Sequence, residues 1–187
     1  TIDFLNLEPV VDLVVAANLV VNGTNVPNSI LYQQGNSVAR GIVRVDEFET
    51  IEFENKTLLT INGLGGEDNF VLDNANVPTG LTRIIADGGA GNDIITALNL
   101  PALGTYLGTT LIGGTGDDLL DAGAVTQNSP VTLIGNQGED TLIGGAGQDN
   151  YDGGADDDVL VTSGNDDLFE GGAGFDQMVV RGTKNND

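Results

Sequence analysis

The 187-residue chain has no cysteine, no histidine and no tryptophan, and only six of its residues are Lys or Arg. Without Cys or His there is no thiol nucleophile, no Ser-His-Asp triad and no zinc site of the usual Cys/His kind. Without disulfides, a short chain working outside a cell needs another staple, and a bound metal ion is the obvious one. Six cations leave little for electrophilic catalysis. Set against 28 Asp plus Glu, they give a formal net charge of −22. That charge disfavours nucleic acid and anionic membrane as partners and favours a multivalent cation. No run of 18 apolar residues occurs, so no membrane insertion by a helix is expected. The start at Thr1 lacks the basic and apolar regions of a signal sequence, and we expect a piece of a larger protein rather than one from which a signal was cut.

Acidity on this scale often means disorder, yet 40% of the residues are hydrophobic and the acids fall in register instead of in blocks. From Gly135 to Val179 one nonapeptide recurs five times without a break: GNQGEDTLI, GGAGQDNYD, GGADDDVLV, TSGNDDLFE and GGAGFDQMV. The sixth place is always Asp (Asp140, Asp149, Asp158, Asp167, Asp176), and the eighth is Leu, Tyr, Phe or Met. Three spaced copies lie upstream, GLGGEDNFV from Gly63, GGAGNDIIT from Gly88 and GGTGDDLLD from Gly113, with sixth-place Asp68, Asp93 and Asp118. A fixed period with a glycine turn, an acid and one apolar residue marks a stacked β-solenoid whose acids are calcium sites.

A nonapeptide supplies one turn and one short strand, so a coil of two strands takes two of them. Asp68, Asp93, Asp118, Asp140, Asp158 and Asp176, at intervals of 25, 25, 22, 18 and 18 residues, therefore form one column of acids. In the longer coils the opposite turn is replaced by the looser NANVPTG, NLPALGTYLG and AVTQNSP, each followed by a β-rich run, LTRIIA, TTLIG or VTLIG. The second column thus appears only at Asp149 and Asp167. No helical period is sustained. Strands joined by short turns in one sense must be parallel, and such crossovers are right-handed. The fold class is all-β: a right-handed parallel β-roll or β-helix solenoid with almost no helix.

Residues 57–179 form the solenoid and 180–187 a tail. Residues 1–56 are irregular, strand-rich coils or a cap, with a separate small β domain as the alternative. Within them VVNGTNVPNSILY is a worn repeat, with Asn28 where the acid should be and Ile30 in the apolar place.

Glycines at places one, two and four allow positive φ and aim carbonyl oxygens into the turn. Stacked strands lie about 4.8 Å apart, so equivalent acids of neighbouring coils approach closely and repel without a counter-ion. Calcium takes six to eight oxygen ligands in irregular geometry; magnesium demands an octahedron, and copper and zinc prefer nitrogen or sulfur. Asp156 and Asn165 replace glycine at place four, where Asp and Asn tolerate a left-handed backbone. Asp117, Asp157 and Asp166 at place five are either outer ligands or solvated, the second being preferred. At place eight, Phe70, Ile95, Leu120, Leu142, Tyr151, Leu160, Phe169 and Met178 are expected to form one inward ladder, faced by Ile61, Leu111 and Leu133. So thin a core couples folding to metal binding. Ile112, Ile134 and Ile143 should face outward, either covered by loops or forming a contact surface.

The motifs resemble the hemolysin-type, or RTX, calcium-binding repeats, with consensus G-G-x-G-x-D-x-U-x where U is a large apolar residue. The match is close over Gly135 to Val179, interrupted over Gly63 to Asp121 and weak before that. The resemblance implies a parallel β-roll with calcium between successive coils, in proteins secreted by Gram-negative and related bacteria. By position it makes Asp68, Asp93, Asp118, Asp140, Asp149, Asp158, Asp167 and Asp176 the carboxylate ligands. Turn glycines would supply carbonyls: Gly63, Gly65, Gly66, Gly88, Gly91, Gly113, Gly116, Gly135, Gly138, Gly144, Gly147, Gly153, Gly171 and Gly174. Pairing the acids of both columns gives about six Ca2+ ions.

The function expected is a non-catalytic calcium-binding module of a secreted or cell-surface bacterial protein, folded by calcium outside the cell. Surface polysaccharide, a neighbouring domain of the parent protein and further copies of the chain are the partners considered besides calcium. The alternatives are a structural adhesin or surface-lattice segment and a calcium-dependent polysaccharide lyase or epimerase. The second would need a base and a charge stabiliser, and Arg40, Arg44, Lys56, Arg83, Arg181 and Lys184 show no catalytic spacing.

Overall fold

In a computed structural model of the chain, the described residues are 10–48, 50–102, 104, 106–162 and 167–181, and they form seventeen strands and no helix. Asn165, Asp166 and Lys184 lie outside them, as do residues 1–9 and most of the tail.

Two sheets face each other. One has seven strands, ordered β16 (Leu168–Ala173), β14 (Asn150–Ala155), β12 (Val131–Gln137), β10 (Gly108–Thr115), β8 (Arg83–Ala90), β6 (Lys56–Gly65) and β2 (Ala16–Asn22). The other has ten, ordered β1 (Val10–Asp12), β5 (Ile51–Phe53), β4 (Gly41–Val45), β3 (Ser29–Gln34), β7 (Asn69–Asp73), β9 (Ile94–Asn99), β11 (Leu119–Asp121), β13 (Thr141–Ile143), β15 (Val159–Thr162) and β17 (Gln177–Val180). From β6 onward the chain alternates between the sheets and every pairing is parallel, the arrangement of a β-roll.

The register carries the place-eight residues into the core in two ladders rather than one. Phe70, Ile95, Leu120, Leu142, Leu160 and Met178 align on the ten-stranded sheet. Tyr151 and Phe169 instead continue the facing ladder of Ile61, Ala86, Leu111 and Leu133. The reason is the period: with two nonapeptides to a coil, alternate tandem copies start opposite strands. Tyr151 and Phe169 stack with ring centroids 4.6 Å apart. The ladder also opens at its end. Met178, expected inside, is 58% exposed because no further coil covers β17 among the described residues. Ile112, Ile134 and Ile143 are half-buried.

Along the edge where the acidic turn is missing, the connections fold their own apolar residues inward. Leu81, Leu100, Tyr106 and Val125 are buried and fill the space between the sheets. These loops therefore complete the core as well as bridging the strands.

The N-terminal strands belong to the same stack. β2 pairs in parallel with β6 and β3 with β7, which sets Ile30 beside Phe70. β4 and β5 form an antiparallel insertion, a departure from all-parallel pairing. The link from Gly35 to Arg40 is closed by a Gly35 N–H to Arg40 carbonyl bond of 2.9 Å, and so short a connection can only join antiparallel strands. The buried Lys56 Nζ donates to Asp12 Oδ1 at 3.0 Å and to the Val14 carbonyl, while Arg40 pairs with Glu52 (3.4 Å) and Glu54 (3.3 Å).

Leu120→Ala should lower stability in saturating calcium by about 2–5 kcal/mol, whereas Met178→Ala at the open end should stay within about 0.5 kcal/mol. Urea denaturation of the two variants checks the contrast.

Candidate metal-binding edge

Each acidic turn of the principal column leads from a strand of the seven-stranded sheet to its partner in the ten-stranded sheet, and glycine serves a different purpose at each place. Places two and four take left-handed backbone: φ is 105°, 123°, 112° and 106° at Gly89, Gly114, Gly154 and Gly172, and 112°, 128°, 119°, 121° and 151° at Gly66, Gly91, Gly116, Gly138 and Gly174. Leu64 (81°) and Asn136 (83°) adopt it at place two, and Asp156 (83°) at place four. Gly65, at place three, does not. Nor do the place-one glycines, for which the sequence suggested positive φ; they are required by space. A Cβ on Gly63 would lie 2.2 Å from Asp68 Oδ2 and 2.4 Å from the Gly88 carbonyl oxygen, with the same clash at Gly135 (2.2 Å from Asp140 Oδ2, 2.4 Å from the Gly153 carbonyl). At Gly88, Gly113, Gly153 and Gly171 the Cβ would likewise meet the carboxylate of its own turn within 2.4 Å. These glycines thus leave room for the carboxylate of their own turn, and at Gly63, Gly135 and Gly153 a carbonyl of the following coil lies against the same space.

The place-six carboxylates are tied along the stack by backbone. Oδ1 of Asp68 accepts the N–H of Asn28 (2.6 Å), Asp93 that of Asp68 (2.7 Å), Asp118 that of Asp93 (2.7 Å), Asp140 that of Asp118 (2.8 Å), Asp158 that of Asp140 (2.9 Å) and Asp176 that of Asp158 (3.1 Å). The other oxygen is left without a partner. Oδ2 of Asp68, Asp93, Asp118, Asp140 and Asp158 is buried and makes no hydrogen bond; the other such side-chain atoms among the described residues are Gln127 Oε1 and Ser129 Oγ. Burial, and after it the neighbouring acids, pushes the carboxyl pKa up to about 6 at Asp93 and Asp140 and about 7 at Asp118, and upward at Asp68 and Asp158.

Place five forms a second ladder that runs the other way. Asn92 Oδ1 accepts the N–H of Asp117 and Asp117 Oδ1 that of Glu139, both at 3.0 Å, and Asp157 Oδ1 accepts that of Phe175 at 2.8 Å. Asp117 and Asp157, expected to be solvated in preference to acting as outer ligands, are exposed and in addition join successive turns. Sequence reasoning missed Asn92 altogether, although a polar residue recurring beside the acid was the available signal.

Two turns close on themselves. In the worn turn, Thr24 N–H donates to Asn28 Oδ1 at 2.7 Å. On the opposite edge, Gly145 N–H donates to Asp149 Oδ2 at 2.8 Å, while Asp149 Oδ1 accepts Val131 N–H at 2.9 Å. Asp149 is buried, with its pKa raised first by that burial. Gly144, Gly145 and Gly147 stay outside the left-handed region. Asp167 Oδ1 accepts Asp149 N–H at 2.9 Å and Oδ2 is bonded to Thr162 Oγ1, but residues 163–166 of that turn are not described.

No group of three or more acidic side chains gathers at one point among the described residues, so carboxylates alone do not enclose an ion. On the principal edge the donor set is one unpartnered carboxylate oxygen per coil together with turn carbonyls. These are hard oxygen donors, the carboxylate anionic and the carbonyls neutral, of the kind calcium takes. The donors therefore fit the ion.

The family model of the RTX calcium-binding nonapeptide repeat matches four copies in the chain, at residues 85–99, 103–124, 132–160 and 149–178. No curated protein and no solved structure matches. The turns at Asp68 and Asn28 precede the matched residues, yet they stand in the same hydrogen-bonded column.

Two outcomes are expected. Asp117→Ala should cost about 1 kcal/mol and Asp117→Asn, which keeps Oδ1, less than about 0.5 kcal/mol, by denaturation in calcium. Without calcium, carboxyls whose folded pKa values lie near 6 to 7 instead of 3.8 favour the protonated folded chain. That contribution is complete below the ordinary carboxylate value and is lost as pH rises through 6 to 7. Circular dichroism should show β-structure increasing when the calcium-free chain is acidified from pH 8 to pH 4, and loss of structure would contradict this account.

Proposed function

The chain belongs, over residues 85–178, to the RTX calcium-binding nonapeptide repeat family, and on that premise we propose that it is a non-catalytic module which calcium folds and stabilises outside the cell. The observation that carries this reading is the row of five buried Oδ2 atoms without a partner at Asp68, Asp93, Asp118, Asp140 and Asp158. A buried, uncompensated carboxylate is costly. A row of them in a core two side chains thick is tenable at neutral pH only with a bound cation.

The residues that would hold calcium are the principal-edge acids, including Asp176 in the last turn, with carbonyls of the adjoining turns. Bound there, calcium supplies positive charge and coordination to oxygens that no protein donor reaches. The chain's own part is to present them: the Oδ1 bonds fix each carboxylate across two coils, and the place-one glycines keep the pocket clear.

Extracellular calcium modules bind at about 10⁻⁴ to 10⁻³ M, so such a chain stays unfolded at cytosolic calcium and folds after export. Repeats of this family occur in secreted bacterial proteins, which supports a secreted or cell-surface setting. The non-catalytic reading is supported by the engagement of Lys56 and Arg40 in ion pairs that hold the N-terminal strands.

Circular dichroism in EGTA and then in millimolar calcium tests the proposal at pH 7.5. The expected result is an unfolded spectrum that becomes β-rich on adding calcium; a full β spectrum in EGTA would overturn it.

A further inference from the structure

The chain contains the same turn in two states, and the difference lies in the backbone at place two. Place two is left-handed at Leu64, Gly89, Gly114, Asn136, Gly154 and Gly172; at the first five the acid four residues later has an unpartnered buried Oδ2, and at Gly172, in the last coil, that acid is the exposed Asp176. Where it is not, at Thr24 and Gly145, the place-two N–H turns inward and donates to the place-six side chain, Asn28 or Asp149. The first turn is open to a cation, and the second is already satisfied.

The closed state does not need a carboxylate, since Asn28 makes the same bond with a neutral amide oxygen. The open state carries strain. Leu64 has φ 81°, where the Cβ of an L residue crowds the following carbonyl. Strained backbone of this kind persists where function requires it, and here it keeps the Asp68 carboxylate free.

We infer that Asp149 takes no calcium: it is a positioning residue that closes its own turn through Gly145 and ties it to Val131, so among the fully described turns the ions line the edge of Asp68, Asp93, Asp118, Asp140, Asp158 and Asp176. This departs from the positional carry-over of the repeat, which makes every place-six Asp a ligand. It rests on the proposed function, because it assigns the acids of a calcium module.

The number of ions linked to folding is read from the slope of stability against the logarithm of free calcium, which plain destabilisation does not change. Asp149→Asn, having lost one acceptor, should be less stable than the unmodified chain at every calcium concentration but keep its slope. Asp118→Asn should lower the slope by at least one ion. A slope reduced as much by Asp149→Asn as by Asp118→Asn would overturn the inference. A slope of zero in the unmodified chain would instead overturn the proposed function. Should Asp149→Asn not fold, calcium-edge diffraction from the unmodified chain decides: an ion at about 2.3–2.6 Å from the Asp149 carboxylate contradicts the inference, and none there supports it.

Discussion

Stacked carboxylates that share a backbone ladder are the constraint on which this fold depends. Each place-six Oδ1 accepts the N–H of the preceding coil's place-six residue, which fixes the spacing of the turns. That bond also buries the second oxygen, and burial pushes the acids toward the protonated state. Register and instability have one source. The coils cannot stack without bringing the acids together, and at neutral pH the acids cannot remain together without positive charge.

The rest of the molecule accommodates that column. Asn28 ends it with a neutral side chain, its Oδ1 satisfied by Thr24 and its Nδ2 donating to Asp46 Oδ2 at 2.7 Å, so the first turn adds no negative charge at the ligand position. Lys56 and Arg40, two of only six cations in the chain, are spent on tying down the N-terminal strands. On the far edge the longer coils replace the acidic turn with loops whose Leu81, Leu100, Tyr106 and Val125 enter the core. Hydrophobic burial thus holds one edge while the other depends on charge neutralisation, and 25-residue coils can stack with an acidic turn on one side only.

The nonapeptide made the solenoid, the acid column and even the worn repeat at Asn28 legible, because each follows from a period that can be counted. What the period could not reveal is which conformation a given turn adopts. GGAGND at Gly88 and GGAGQD at Gly144 are nearly the same letters. The first is open and the second closed, because the second stacks on the loop before Val131 instead of on another glycine turn. Place-one glycine was assigned to backbone freedom when its reason is the carboxylate packed against it, a contact between residues five apart that has no composition signal. The place-eight residues were placed in a single ladder although the count was available, since the alternation of two repeats per coil already implies two facing ladders.

If the acid column is the obstacle that calcium removes, replacing its charge should remove the need for calcium. The most direct measurement is circular dichroism in EGTA of a variant with Asp68, Asp93, Asp118, Asp140 and Asp158 all changed to Asn. Each Asn keeps Oδ1 for the ladder, and at positions 68, 140 and 158 its Nδ2 has a carbonyl oxygen of the following coil, that of Gly88, Gly153 or Gly171, against the same place-one space. The account predicts a β-rich, cooperatively melting chain without calcium. A variant that stays unfolded in EGTA would contradict it.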